Sequence, residues 1–245
     1  MLKLEVPGGE SKVLLHSCCA PCSGAVLECL LANGIRPVVF FSNSNITPFE
    51  EYELRRSELA RYCKSLGVEM IDDEYDHDAW KRFVLGIPRD GRRAGRTPSD
   101  FETAEQFCIM SEVPSQPAAL SPEELAAAPE RSPRCLNCFK FRLKRAAEYA
   151  AAHGIPVLTT TLASSRWKSL EQVAEAGLWA CGGMPDQVGH DVMQAGNDAN
   201  PVGYDVLFWP QNWRKGGLQE RRSQIISEQR FYNQNWCGCE FSQRL

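Results

Sequence analysis

Apolar residues along this chain alternate between two rhythms. Runs such as Val13-Leu14-Leu15 and Val38-Val39-Phe40-Phe41 are apolar without a break, as in strands covered on both faces of a parallel sheet. Between them Val26, Leu27, Leu30 and Leu31 share one helical face, with Gly34 as the stop. The pattern predicts a strand over Lys12 to His16, a helix capped by Ser23, and a strand over Ile35 to Ser42 with Pro37 at its start. A helix follows with Thr47 as cap, Pro48 at its first position and Glu50 in its first turn. It runs to Leu66, ends at Gly67, and gives way to a strand over Val68 to Ile71. Strand, helix, strand, helix, strand is the order of a parallel sheet with right-handed crossovers.

The middle breaks this rhythm. Residues 72–78 are acidic and 79–85 helical in pattern. Residues 86–133 read as an insertion of loops and short helices, first rich in Gly and Arg, then in Pro, Ser, Ala and Glu, with its Ala-rich part poorly packed or mobile. Regularity returns with a helix over 135–153, a strand over 155–161 and a helix over 168–176. A second loop insertion spans 178–204, followed by a strand over 205–209 and a helix over 218–229. The expected fold class is α/β: one Rossmann-like parallel sheet flanked by helices, a single domain over residues 1–245 without internal repeats.

Composition narrows the chemistry. An apolar share of 43% suffices for a sizeable core, and the net charge of −4 argues against a generally nucleic-acid-coating protein, so any RNA contact must be local. The polar start of the chain, interrupted by Pro7-Gly8-Gly9, does not read as a signal peptide, and no apolar run approaches the roughly 18–20 residues that span a membrane. A cytoplasmic protein is expected. In that setting 11 cysteines point to metal or redox work more than to staples.

The thiols are unevenly spread. His16-Ser17-Cys18-Cys19-Ala20-Pro21-Cys22 follows strand 1, at the sheet edge where open α/β folds bind ligands. Folds of the PP-loop type keep a Ser/Gly-rich phosphate loop at this place; three thiols here argue against that use. Cys135-Leu136-Asn137-Cys138 opens a helix, whose N-terminus favours thiolates. Alone, this spacing fits zinc, an iron–sulfur cluster or a redox disulfide. With Cys18 and Cys19 it makes four thiolates, the count of a [4Fe–4S] cluster and of structural zinc alike, and adjacent ligands favour the cluster. Cys237-Gly238-Cys239 allows a strained, reducible disulfide, a second metal chelate or two inert thiols. Cys29, Cys63, Cys108 and Cys181 read as small apolar residues.

Other candidates are weaker. His16 adjoins the thiols and reads as a proton donor, a hydrogen-bond partner of a metal ligand, or a satisfied core histidine. Basic clusters lie at Arg89/Arg92/Arg93/Arg96, at Lys140/Arg142/Lys144/Arg145, and at Arg214/Lys215/Arg221/Arg222. The last is flanked by Trp209, Trp213 and Trp236, which suits bases stacked on aromatics with phosphates held by cations.

Taken together, LLHSCCAPCS (14–23), FFSNSNITPFEEYELRRSEL (40–59), RCLNCFKFRL (134–143), TTTLASSRWKS (159–169), RKGGLQERRSQ (214–224) and YNQNWCGCEFS (232–242) make the chain resemble the epoxyqueuosine reductases of the QueH type. The segments cover most of the chain in order; residues 83–131 and 178–207 match poorly. The resemblance implies reductive removal of an epoxide oxygen from a modified nucleoside in the anticodon stem-loop of tRNA, giving queuosine. It implies Cys18, Cys19, Cys135 and Cys138 as ligands of a [4Fe–4S] cluster and Cys237 with Cys239 as a redox-active pair. Cys22 would bind a further metal ion or face the substrate; Arg214, Lys215, Arg221 and Arg222 would touch RNA, and the electron donor is unknown. The competing expectations are a thiol–disulfide oxidoreductase active without iron and a non-catalytic RNA-binding module stabilised by zinc.

Overall fold

Val13–His16 (β1) is buried at every position, because β1 is the middle of a five-stranded sheet and is covered on both faces. The remaining strands are Val38–Phe41 (β2), Met70–Asp72 (β3), Val157–Thr160 (β4) and Leu207–Phe208 (β5). Their order is β3-β2-β1-β4-β5 and every pairing is parallel, with Leu14 opposite both Val38 and Leu158. Chain order reverses between β1 and β4, so these strands open the crevice where a Rossmann-like sheet binds its ligand. The computed structural model describes residues 2–87, 120–182 and 204–242. Cys108, the Arg89/Arg92/Arg93/Arg96 cluster and most of the two predicted insertions lie outside them.

Among the described residues the helices are Ala20–Ala32 (α1), Phe49–Leu66 (α2), His77–Val84 (α3), Pro122–Ala127 (α4), Pro133–Ala152 (α5), Leu170–Ala180 (α6) and Leu218–Gln229 (α7). α1 packs on α7 and α2, while α5 packs on α3 and α6. Gly177 exists for this packing: a Cβ there would lie 2.1 Å from the Phe208 ring of β5. One core cluster runs from Val13 to Phe231, and a satellite gathers Trp80, Val84, Cys138, Phe141 and Cys239.

Several expected boundaries move. α1 begins at Ala20 with Cys19 as its cap, three residues before Ser23. Ser23 is inside the helix and donates back to the Cys19 carbonyl at 2.8 Å, a local bond open to serine in a first turn. At α2 the capping residue is Pro48, after a cis Thr47–Pro48 bond, and the Thr47 amide is used elsewhere. In the described part of the first insertion, Ser121 and Glu124 form a capping box on α4, and Leu125 is buried.

Candidate functional site

The first thiol loop straddles the β1/β4 crevice. The Ser17 amide donates to Phe40 O at 2.9 Å and Asn43 Nδ2 to Ser17 O at 2.9 Å, which ties the loop to the β2 side. The next amide, of Cys18, donates to Thr161 Oγ1 at 3.3 Å on the β4 side. Cys19 then caps α1, and Cys22 lies in its first turn, where unpaired amides favour anionic sulfur. The sulfurs of Cys18, Cys19 and Cys22 lie within 4.8 Å of one another, the only such set of three or more metal-ligating groups among the described residues. Cys18 Sγ and Cys19 Sγ stand 3.8 Å apart, too far for a disulfide, and Gln234 Nε2 donates to Cys19 Sγ at 2.7 Å.

This triad shares its charge unequally. Hydrogen bonds from Cys19 and Cys22 pull the Cys18 thiol well below its ordinary range. Burial pushes Cys19 up, and its bond to Cys18 pushes Cys22 up. Three thiolates this close repel one another in a buried pocket, so full ionisation requires a bound cation. The donor set fits a thiophilic metal or cluster.

The second and third thiol groups meet each other. Cys135 is in the first turn of α5, as its spacing predicts, and Cys138 one turn on accepts from Trp80 Nε1 at 3.4 Å. Burial pushes Cys135 up to about 11 and also raises Cys138. Cys239 shares the apolar pocket of Cys138 and Trp80. Cys237 and Cys239 are free thiols with opposite tendencies. A bond from Cys239, aided by Ser242 Oγ at 2.8 Å and by Lys168, draws Cys237 down to about 5; Cys239 is pushed up by the same bond.

Three residues of the 40–59 segment, Asn45, Thr47 and Arg55, explain how the Cys237 loop is seated. Arg55 is buried, pairs with Glu51 at 2.5 Å, and donates to Cys237 O at 3.2 Å and Trp236 O at 3.5 Å. Asn45 Nδ2 reaches Cys237 O at 3.4 Å, and the Thr47 amide donates to Gly238 O at 2.9 Å. Gly238 has φ +95°, and a Cβ there would lie 2.9 Å from Ile46 and 3.2 Å from Arg55. On the other side His77 and Lys81 hold Glu240 at 3.2 and 3.0 Å.

Two cations link the thiol groups. Arg142 is buried and donates to Ser42 O at 3.1 Å and to Asn43 Oδ1, and its charge acts on both Cys18 and Cys138. Lys168 forms no ion pair with a carboxylate among the described residues. Burial lowers its pKa, but the charges of Cys18, Cys22 and Cys237 prevail and hold it above the ordinary lysine range. Sequence reasoning singled out neither Lys168 nor Arg55; both sit in the SSRWK and EYELR segments already quoted, as charged residues in otherwise committed motifs.

His16 takes the satisfied-core alternative. Nδ1 bonds Thr160 Oγ1 at 2.8 Å and Nε2 bonds Ser42 O at 3.2 Å. Burial, then Arg142, lowers its pKa to about 3, so the ring is neutral with both nitrogens engaged. The predicted basic rim is also largely spent internally. Arg221 pairs with Glu28 at 2.6 Å and Glu228 at 2.9 Å, and Arg214 donates to the Ser165 and Lys168 carbonyls. Trp209 and Trp213 are buried against each other at 5.6 Å, and Trp236 stacks under Arg55. Lys215 is exposed, and Arg222 makes one long bond to Asn233 at 3.4 Å. In the middle cluster Lys140, Lys144 and Arg145 pair with Glu175, Glu148 and Asp73. No described helix is long and apolar enough to cross a membrane.

Comparison with known proteins follows the same segments. A family model described as "Epoxyqueuosine reductase QueH" matches residues 13–103 and 101–245. A protein of that name from Haemophilus influenzae is 36% identical over 242 residues, covering 99% of this chain and 76% of the relative. Relatives of the same name from Histophilus somni and Acinetobacter baylyi are 35% and 33% identical, covering 76% and 85% of their own lengths.

Proposed function

The chain belongs to the epoxyqueuosine reductase QueH family, and from that premise we propose that it removes the epoxide oxygen of epoxyqueuosine in tRNA, leaving the cyclopentene of queuosine. The carrying observation is the buried, unbridged Cys18, Cys19 and Cys22 triad at the crevice between β1 and β4, linked through the charges of Lys168 and Arg142 to Cys237 and Cys138. Cys18 and Cys19 from the strand end and Cys135 and Cys138 from the α5 start are the ligands of a [4Fe–4S] cluster, with Cys22 left for a further metal ion or the substrate. A bound cluster supplies single electrons and a Lewis-acidic iron.

The remaining chemistry belongs to this chain's side chains. Converting an epoxide to an alkene consumes two electrons and two protons, and the oxygen leaves as water. Oxidising the Cys237 thiolate and the Cys239 thiol to a disulfide releases two electrons and one proton, and protonated Lys168 supplies the second proton, so the balance closes. A donor of unknown identity then restores the dithiol. The low pKa of Cys237 and the high pKa of Cys239 suit a thiolate and its proton-holding partner. Lys168, held protonated by the charges of Cys18, Cys22 and Cys237, gives that second proton to the departing oxygen, while His16, with both ring nitrogens bonded, fixes the strand end instead.

The test is metal analysis of anaerobically purified protein. About four irons and four sulfides per chain are expected, lost together with activity in Cys135→Ser. Full iron occupancy in that variant contradicts the ligand set. Epoxide reduction by iron-free protein points to a thiol–disulfide oxidoreductase, and zinc without turnover to a binding module.

A further inference from the structure

The side chain that follows Arg166 points out of the molecule, while the next one is half-buried. Trp167 is 73% exposed, far more than any other aromatic among the described residues. Lys168, its neighbour, is half-buried and lies within electrostatic reach of Cys18, Cys22 and Cys237. A lone exposed apolar residue is ordinary on a protein surface. This one is held in place from both sides.

Arg131 donates to Trp167 O at 3.0 Å and to Arg166 O at 3.1 Å. Arg214 donates to Lys168 O at 2.7 Å and to Ser165 O. Gln219 Nε2 takes Ser164 O at 3.0 Å. Two guanidinium groups thus clamp four successive carbonyls. Arg131 does so from a backbone φ of +64°, a conformation that costs a non-glycine residue about 1 kcal/mol and is fixed by Gln172 on its own carbonyl at 3.0 Å. The result is an indole whose backbone is already ordered before any ligand arrives. Exposed Arg166 and Lys215 stand close in sequence to the clamp, with Arg131 and Arg214 forming it. Glu171, reached by the charges of Arg214 and Arg131, is a carboxylate on the same surface.

We propose that Trp167 is the stacking platform for an unpaired nucleobase of the RNA substrate, flanking the base that enters the thiol centre. The inference rests on the reading of the chain as a reductase of a nucleoside within RNA. A flat exposed aromatic on an ordered turn, with exposed Arg166 next to it in the chain, suits a stacked base and its phosphate, and adjacency to Lys168 ties the platform to the reacting base. It moves the RNA contact from the interior tryptophans Trp209 and Trp213 to the Ser165–Lys168 turn.

The test uses iron-loaded full-length protein, an anticodon stem-loop carrying the epoxide, and a small-molecule reductant. Trp167→Ala should weaken stem-loop binding about 5- to 100-fold, and Trp167→Phe should recover most of the loss. Iron content and kcat at saturating RNA should stay near wild type, since the thiols are untouched. Abasic substitution at each loop position supplies the second leg of a double-mutant cycle. One position should lose affinity in wild type but not in Trp167→Ala. Unchanged stem-loop affinity in Trp167→Ala, with wild type still converting the substrate, overturns this inference alone. The same holds if abasic penalties are identical in both proteins at every position, or if Trp167→Ala impairs only reduction driven by a protein donor. Iron-loaded wild type that neither binds nor converts the stem-loop overturns the functional reading, and this inference with it.

Discussion

Gly238→Ala is the sharpest way to ask whether the Cys237 loop must sit where it does. A methyl group there meets two separate costs. The backbone φ of +95° lies where L-residues are strained by about 1–2 kcal/mol. The new Cβ would also stand 2.9 Å from Ile46 Cγ1 and 3.2 Å from Arg55 Nη1, an overpacking worth about 1–3 kcal/mol. The total is about 2–5 kcal/mol, partly offset by the about 0.4–1 kcal/mol that alanine removes from unfolded-state entropy. Gly34→Ala is the matched control, because Gly34 has φ +74° but open space around its Cβ. It carries only the first cost. In a chain of this size each kcal/mol moves Tm by roughly 2–4 °C, so Gly238→Ala should melt several degrees below Gly34→Ala. The Arg55 and Thr47 bonds to the Cys237 and Gly238 carbonyls should loosen, so Cys237 should gain reactivity toward a bulky thiol reagent. Multiple turnover should fall at least about tenfold, the scale of a misplaced reacting group, while iron content holds. A Gly238→Ala protein that matches Gly34→Ala in melting, thiol protection and turnover refutes the argument.

Three further outcomes follow from the same geometry. Changing Cys237 and Cys239 together to Ser should leave iron and sulfide near wild type but abolish multiple turnover; cluster loss would make them ligands, and normal turnover would make them spectators. Lys168→Met should move the midpoint of Cys237 alkylation in metal-free protein upward in pH, because Cys239 and Ser242 would then favour the thiolate without the cation; an unmoved midpoint removes Lys168 from the thiol centre. Gly177→Ala should destabilise the fold by about 1–3 kcal/mol despite better helix propensity, since the methyl would strike the Phe208 ring, and Phe208→Leu should recover part of it in chemical unfolding.

The runs that became β1, β2 and β4 were legible because a parallel strand covered on both faces is mainly apolar, with His16, Thr159 and Thr160 buried toward the strand ends. The thiol loop and the Cys135 helix start were legible because both lie at element ends that local residues mark. What stayed hidden depends on long sequence separation. Arg221 looks free until Glu28 is seen beside it, 193 residues away in the chain, and Arg145 until Asp73 is, 72 residues away. Trp209 and Trp213 read as a surface pair because nothing local says that the end of β5 turns into the core. The α1 start was misplaced because Cys19 caps without a side-chain bond, and Ser23, which resembles a cap, bonds backward inside the helix.

The central claim is tested most directly by nucleoside mass spectrometry after anaerobic incubation of iron-loaded protein, a reductant and an epoxide-bearing anticodon stem-loop. The account predicts loss of one oxygen from the modified nucleoside in wild type, and no loss in Cys135→Ser. An unchanged epoxide in the presence of fully loaded wild-type protein, or equal conversion by Cys135→Ser, contradicts it.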